Sequence, residues 1–257
     1  MKTYEKRLNL KTRRPIYFFI NIKYVSFSFY KKNLCFDNTS KHLFILKVYT
    51  LNRAATVAQK LLQIKAIKLS PQSPFTWASG IQSPIYCDNR IILSYPTVRN
   101  YIKQALASCS QEFDSFDKVA GVATAGIAHG ALLADALNLP FVYIRSKAKG
   151  HGRKNLIEGE LTGTERVLVV EDLISTGGSS LKAVEAVRET GANVVGVLAI
   201  FSYGFTKAQI AFDAANCPFK TLSNYSVLIN EALKTNYIQE NDVQLLTNWL
   251  KGVNVAN

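Results

Sequence analysis

Val167-Leu168-Val169-Val170-Glu171-Asp172-Leu173-Ile174-Ser175-Thr176-Gly177-Gly178-Ser179-Ser180 holds four aliphatic residues, two adjacent carboxylates, and then a run of small hydroxyl residues and glycines. An unbroken aliphatic run fits a strand buried on both faces, the situation of a parallel sheet, and the expected strand is 167–172. Gly177 and Gly178 permit positive φ and close backbone approach, so several N–H groups can converge on one anion. Ser175, Thr176, Ser179 and Ser180 add hydroxyl donors, and a helix starting near Ser179 turns its positive end to the same point. Glu171 and Asp172 fall at the strand's carboxyl end, where open α/β sheets bind ligands. Carboxylates do little for a phosphate but suit hydroxyls or a bound Mg2+. The stretch therefore implies a site for a sugar phosphate with free hydroxyls. It is not a Gly-Lys-Ser/Thr nucleotide loop, since no lysine occupies that position, and it is not a Gly-x-Gly-x-x-Gly turn.

Outward from this motif, strands and helices alternate. Apolar residues at Ala54, Val57, Leu61 and Ile64 predict a helix from Arg53 to Ile67. After the break at Ser70–Pro74, Phe75 to Arg90 predicts a short hairpin or two-strand hood turning at Ser79-Gly80. Further helices are expected at Pro96 to Phe113, Gly126 to Leu137, Leu181 to Thr190 (closed by Gly191), Lys207 to Ala215, Val227 to Leu233 and Asp242 to Leu250. Strands are expected at Lys118 to Thr124, Pro140 to Ile144 and Asn193 to Ser202. This order implies an α/β fold, a mostly parallel twisted sheet flanked by helices.

The formal net charge is +13, a value that by itself suggests nucleic acid or an anionic surface. Residues 1–50 carry +9 of it: eleven Lys and Arg against Glu5 and Asp37, leaving +4 for the rest. The body is thus only mildly basic, in keeping with phosphorylated substrates. The same fifty residues cluster aromatics (Tyr17, Phe18, Phe19, Tyr24, Phe27, Phe29, Tyr30) and show no helical period. A targeting segment should be amphipathic rather than aromatic. A membrane anchor needs about 20 apolar residues, and Lys23 interrupts this run. A basic strand–loop arm is a further reading. The favoured one is translated non-coding sequence ahead of the true start, although Met1 is the only methionine. The expected division is thus an atypical extension at 1–50 and a catalytic domain at 51–257, with a hood at 51–95. Cys35, Cys87, Cys109 and Cys217 form no Cys-x-x-Cys pair and lack histidines at zinc spacing, which points to reduced thiols in the cytoplasm.

Arg145-Ser146-Lys147-Ala148-Lys149-Gly150-His151-Gly152-Arg153-Lys154-Asn155 is basic, glycine-punctuated and too long for a tight turn. By itself it reads as a solvated basic loop. Beside a sugar-phosphate site it becomes a candidate lid for a pyrophosphate.

Four separated segments together resemble the orotate phosphoribosyltransferase family, of the type I phosphoribosyltransferase fold: FTWASG…SPIYCDNR at 75–90, GVATAG at 121–126, the 145–152 loop, and 171–179. The hood and the loop separate this resemblance from the purine enzymes of the same fold. It implies transfer of the phosphoribosyl group of phosphoribosyl pyrophosphate (PRPP) to orotate, with Mg2+ held mainly by PRPP and water rather than by a protein cage. It implies PRPP contacts from Arg145, Lys149, His151, Glu171, Asp172, Leu173, Ile174, Ser175, Thr176, Gly177, Gly178 and Ser179. Lys149, His151 and Asp172 are the implied catalytic residues, and Ser175 also the orotate contact. A cytoplasmic homodimer whose loop is shared across subunits is implied as well, with no nucleic acid or membrane partner. Ser146 stands where many relatives have a second basic residue, with Lys147 one place later; some relatives carry a lysine where this chain has Ala78, and Gln82 stands where the resemblance implies a basic residue. A purine phosphoribosyltransferase and a non-enzymatic PRPP-sensing regulator are the alternatives. The regulator should carry a helix-turn-helix.

Overall fold

A computed structural model describes residues 38–77, 80, 82–147 and 156–256. The chain divides into two compact units, Met1–Lys41 and His42–Asn257, and the second contains all the described strands. Helix α1 (Asn38–Gln63) leads into four short strands, β1 (Ile67–Leu69), β2 (Phe75–Thr76), β3 (Gln82–Ser83) and β4 (Ile85–Cys87). β1 pairs antiparallel with β4 and β2 with β3, so the expected hood exists as two small ribbons. Gly80 takes φ +82° and its N–H donates to the Trp77 carbonyl, closing the turn between β2 and β3. Ala78 and Ser79 lie outside the described residues.

A 3-10 turn at Asn89–Ser94 is followed by α2 (Pro96–Ser110), β5 (Lys118–Val122), α3 (Ala125–Leu137), β6 (Phe141–Ile144) and β7 (Ile157–Glu158). Then come β8 (Arg166–Ile174), α4 (Gly178–Arg188), β9 (Asn193–Ser202), α5 (Thr206–Ala214), β10 (Phe219–Asn224), α6 (Tyr225–Lys234) and α7 (Glu240–Ala256). Six strands form one sheet in the order β10-β9-β8-β5-β6-β7, parallel throughout except for the β6–β7 pair. The aliphatic run of β8 is buried on both faces, as expected. Leu168 and Val170 join the core with Leu61, Ile102 and Leu133, whereas Val167 and Val169 join that of Ala183, Val187 and Phe212. Each such side chain removed from water contributes about 1.5–3 kcal/mol before chain entropy is counted. At the opposite, N-terminal end of the sheet, Lys118 Nζ donates to Glu165 Oε1 at 2.8 Å and to the Glu160 carbonyl at 2.6 Å.

Several expected bounds shift. The helix predicted to reach Ile67 stops at Gln63, because Lys65 turns to φ +56° and Ile67 instead pairs with Cys87 in β1. The same helix begins at Asn38, so the expected boundary between residues 50 and 51 falls inside α1. The second helix ends at Ser110 rather than Phe113, with Pro96 in its first turn and Val98, Ile102 and Leu106 buried as expected. β8 continues past Asp172 to Ile174. Gly191 takes φ +94°, two residues beyond the α4 cap at Glu189. The strands β7 and β10 were not expected. β10 reads Phe-Lys-Thr-Leu-Ser-Asn, and only Leu222 and Ser223 are buried, so no aliphatic run marks it.

Candidate active site

From β5 the chain passes to β6 and β7 on one side, then returns to lay β8 on the other. The carboxyl ends of β5 and β8 therefore flank the point where strand order reverses, the place where open α/β sheets collect ligands. α3 lies close over that point because Gly121, Gly126 and Gly130 lack side chains. A Cβ on Gly126 would sit 2.5 Å from the Val170 carbonyl oxygen, and one on Gly121 2.9 Å from the Gly126 carbonyl oxygen.

Glu171 is buried, 5% exposed, and Asp172 is half-buried beside it. Glu171 Oε1 accepts from the Asp172 N–H at 3.1 Å, while Oε2 accepts from Ser179 Oγ at 3.2 Å and Ser180 Oγ at 3.4 Å. The carboxylate thereby ties the end of β8 to the first turn of α4. Leu173 and Ile174 pack into the cores, which restricts them to main-chain contacts with a ligand. Ser175 is half-buried, and Thr176, Gly178 and Ser179 are exposed. Gly177 caps α4 at φ 84°, ψ −5°, a left-handed conformation that favours glycine, and a Cβ there would lie 2.9 Å from the Phe212 ring. The amides of Gly178, Ser179 and Ser180 belong to the first helical turn, where no preceding carbonyl serves them. A row of such N–H groups at a helix N-terminus is an anion site. The stretch 175–179 thus brings a left-handed glycine and the free amides of a helix start together, with the Ser179 hydroxyl turned onto Glu171.

Burial, with the neighbouring Asp172 carboxylate second, pushes the Glu171 carboxyl up to about 8. Burial likewise raises Asp172. Both effects favour the protonated form of Glu171, whereas a ligand that brings hydroxyl donors or positive charge favours the ionised form. Because the folded value lies above the ordinary 4.5, the folded chain binds this proton more tightly than the unfolded chain. The contribution of this group to stability then falls as pH rises from about 4.5 to about 8 and stays low beyond. Glu171→Gln, which keeps the acceptor and removes the charge, should be more stable than the parent at pH 9 by about 1–3 kcal/mol, and no more stable at pH 4. Thermal melts of both proteins across that range check this. Parallel curves would show that Glu171 is already ionised in the folded chain.

Arg145 follows β6, two strands from β8, and its Nη1 lies 3.4 Å from Glu158 Oε1. Its main-chain N–H donates to the Leu156 carbonyl at 2.8 Å, and β6 pairs with β7 at Tyr143↔Glu158 and Ile144↔Ile157. The two ends of the basic loop are thus joined as a stem. Lys149 and His151 lie outside the described residues. Gln82 donates to Thr76 Oγ1 at 2.8 Å, and its carbonyl accepts from Trp249 Nε1 at 3.0 Å, fastening the hood to α7. Two buried polar residues near the acidic pair, Asn89 and His129, escaped the sequence reading, because single Asn or His residues carry no spacing signal. Cys87, Cys109 and Cys217 are unpaired.

The phosphoribosyl transferase domain family model matches residues 90–231. The orotate phosphoribosyltransferase of Bacteroides thetaiotaomicron is 57% identical over 195 residues, covering 76% of this chain and 92% of that protein. The crystal structure of the Aeropyrum pernix orotate phosphoribosyltransferase aligns with a TM-score of 0.60 at 27% identity, over 71% of this chain and 99% of that one. A Leishmania donovani UMP synthase structure aligns with a TM-score of 0.68 at 25% identity, over 77% of this chain but only 42% of that longer chain.

Proposed function

The chain belongs to the orotate phosphoribosyltransferase family, within the phosphoribosyl transferase domain family, and from that premise we propose a role for each part of its site. The reaction moves the phosphoribosyl group of PRPP to orotate, giving orotidine 5′-monophosphate and pyrophosphate in pyrimidine synthesis. The observation that carries this reading is the acidic pair of β8 followed at once by the glycine and hydroxyl cradle of α4, at the reversal point of the sheet.

The amides at 176–179 and the hydroxyls of Ser175 and Thr176 hold the 5′-phosphate. Glu171 and Asp172 accept from the 2′- and 3′-hydroxyls of the ribose. As the bond to pyrophosphate lengthens, positive charge grows on the ribose ring, and the Asp172 carboxylate stabilises it from a fixed position. Arg145, Lys149 and His151 take the negative charge of the departing pyrophosphate, and His151 supplies a hydrogen bond or proton to it. Orotate lies under the hood, with Ser175 in contact. The two carboxylates are oxygen donors of the kind a hard divalent ion accepts, and among the described residues no group of three or more acids, histidines or cysteines forms a cage. That donor set fits Mg2+ held chiefly by PRPP oxygens and water. The bound ion supplies charge neutralisation for the pyrophosphate.

The assembly is a homodimer in which the loop of one subunit serves the site of the other, and its place is the cytoplasm. Among the described residues no helix is long and apolar enough to cross a membrane. Lys149→Ala should lower turnover by about 10²-fold or more while leaving the melting temperature within about 1–2 °C. An equal loss of soluble protein and of activity would refute that role. Mixing Lys149→Ala with an inactive acidic-pair variant should recover part of the activity if the loop is shared, and none if each subunit uses its own. Replacing orotate by adenine or hypoxanthine should give no product. Product from either purine would transfer the site to the purine branch of the fold.

A further inference from the structure

We propose that Asn89 is a positioning residue that sets the distance between the hood and the acidic pair, with His129 as its fixed base. The proposal rests on the reading of Asp172 as a ribose contact. Asn89 opens the 3-10 turn that follows the last hood strand, and it is completely buried. Its Nδ2 donates to the Asp172 main-chain carbonyl at 2.8 Å. The sheet explains why a side chain is needed at that point. β5 ends at Val122 and its last register partner on β8 is Val170, so β8 runs on beyond its neighbour and Asn89 meets the overhanging segment. One hydrogen bond thus links the hood, where the base would sit, to the strand end that would grip the ribose.

Both ends of this link are anchored. On either side of Asn89, Asp88 Oδ1 accepts from the Arg90 main-chain N–H at 3.2 Å and from Arg90 Nε at 2.7 Å, which fixes the turn. His129, on α3 and 1% exposed, sits against the turn that carries Asn89, and burial keeps it neutral with its pKa lowered to about 4. Among the described residues, Asn89 Oδ1 and His129 Nε2 are buried polar atoms without a hydrogen-bond partner. Two such atoms weaken a fold that apolar residues of similar volume would strengthen. Their presence is accounted for if the bond from Asn89 to Asp172 serves the site rather than the core.

The test compares Asn89→Leu and Asn89→Asp with the unmodified full-length chain. Asn89→Asp keeps the shape and removes the donors, so it also serves if Asn89→Leu fails to fold. In both variants kcat is expected to fall by about 10- to 100-fold, since a misplacement of the order of 1 Å has effects of that size. Dissociation constants for PRPP and for orotate, each measured alone, should stay within about threefold, because each half-site remains intact. A variant that folds and keeps the parental kcat would overturn the proposal, as would a loss that falls on orotate or PRPP affinity with kcat unchanged. If the unmodified chain itself gives no PRPP-dependent consumption of orotate, it is the functional reading that fails.

Discussion

Asp172→Asn is expected to lower kcat/KM for PRPP by about 10²- to 10³-fold, with a melting temperature equal to or above that of the parent. The two halves of that expectation have one origin. Burial raises the Asp172 carboxyl and outweighs the hydrogen bond to Glu171, which acts the other way, so the folded chain is strained by this charge rather than stabilised by it. Asparagine removes the charge, keeps the size and leaves intact the main-chain carbonyl that Asn89 uses. Stability should therefore hold or rise. Catalysis should not survive, because a preformed carboxylate is worth most where positive charge develops, and loss of one such group amounts to about 3–4 kcal/mol in the barrier. Activity and melting temperature measured on one preparation separate the two effects. If both fall together, Asp172 belongs to the folding of the strand end and not to the chemistry.

Gly126→Ala should be the most destabilising single methyl addition in the site. The new Cβ would stand 2.5 Å from the Val170 carbonyl oxygen, 3.2 Å from the Glu171 Cα and 3.4 Å from Glu171 Oε1. The two nearest obstacles are main-chain atoms of the central strand, which cannot rotate away, so α3 itself must lift off β8. Overpacking of this kind typically costs about 1–3 kcal/mol. With about 2–4 °C per kcal/mol in a domain of this size, the melting temperature should fall by roughly 2–12 °C. Activity should fall further, because the displaced helix carries the end of the acidic strand with it. Gly178→Ala supplies the contrast. Its nearest neighbour would be Thr176 Oγ1 at 4.0 Å, and alanine is a better helix former than glycine, so the melting temperature should hold or rise. Equal behaviour of the two variants would show that α3 does not depend on a bare glycine at 126.

The parts of this molecule that were legible in advance are those where side-chain chemistry and chain geometry coincide. The run 167–170 could only be a strand covered on both faces, and it lies between β5 and β9 with alternate residues in two cores. β9 has the expected bounds, Asn193–Ser202, because an apolar run from Val194 to Phe201, broken only by Gly196, fills its interior. The helix start after β8 was legible because glycines and hydroxyls fall within a few residues of each other there. β10 was hidden because its lysine, threonine and serine resemble a loop, and it gains its strand character from pairing with β9. β7 has two residues and exists through β6. The link from Asn89 to Asp172 spans 83 positions, and no local pattern announces such a contact. Lys149 and His151 rest on the family resemblance alone.

The central claim is that this site transfers a phosphoribosyl group to orotate, and the most direct measurement follows the ultraviolet absorbance of orotate with the full-length chain. With PRPP and Mg2+ present the absorbance should fall, one pyrophosphate should appear for each orotate lost, and omission of either PRPP or Mg2+ should abolish the change. An absorbance that stays constant while PRPP still binds would contradict the claim.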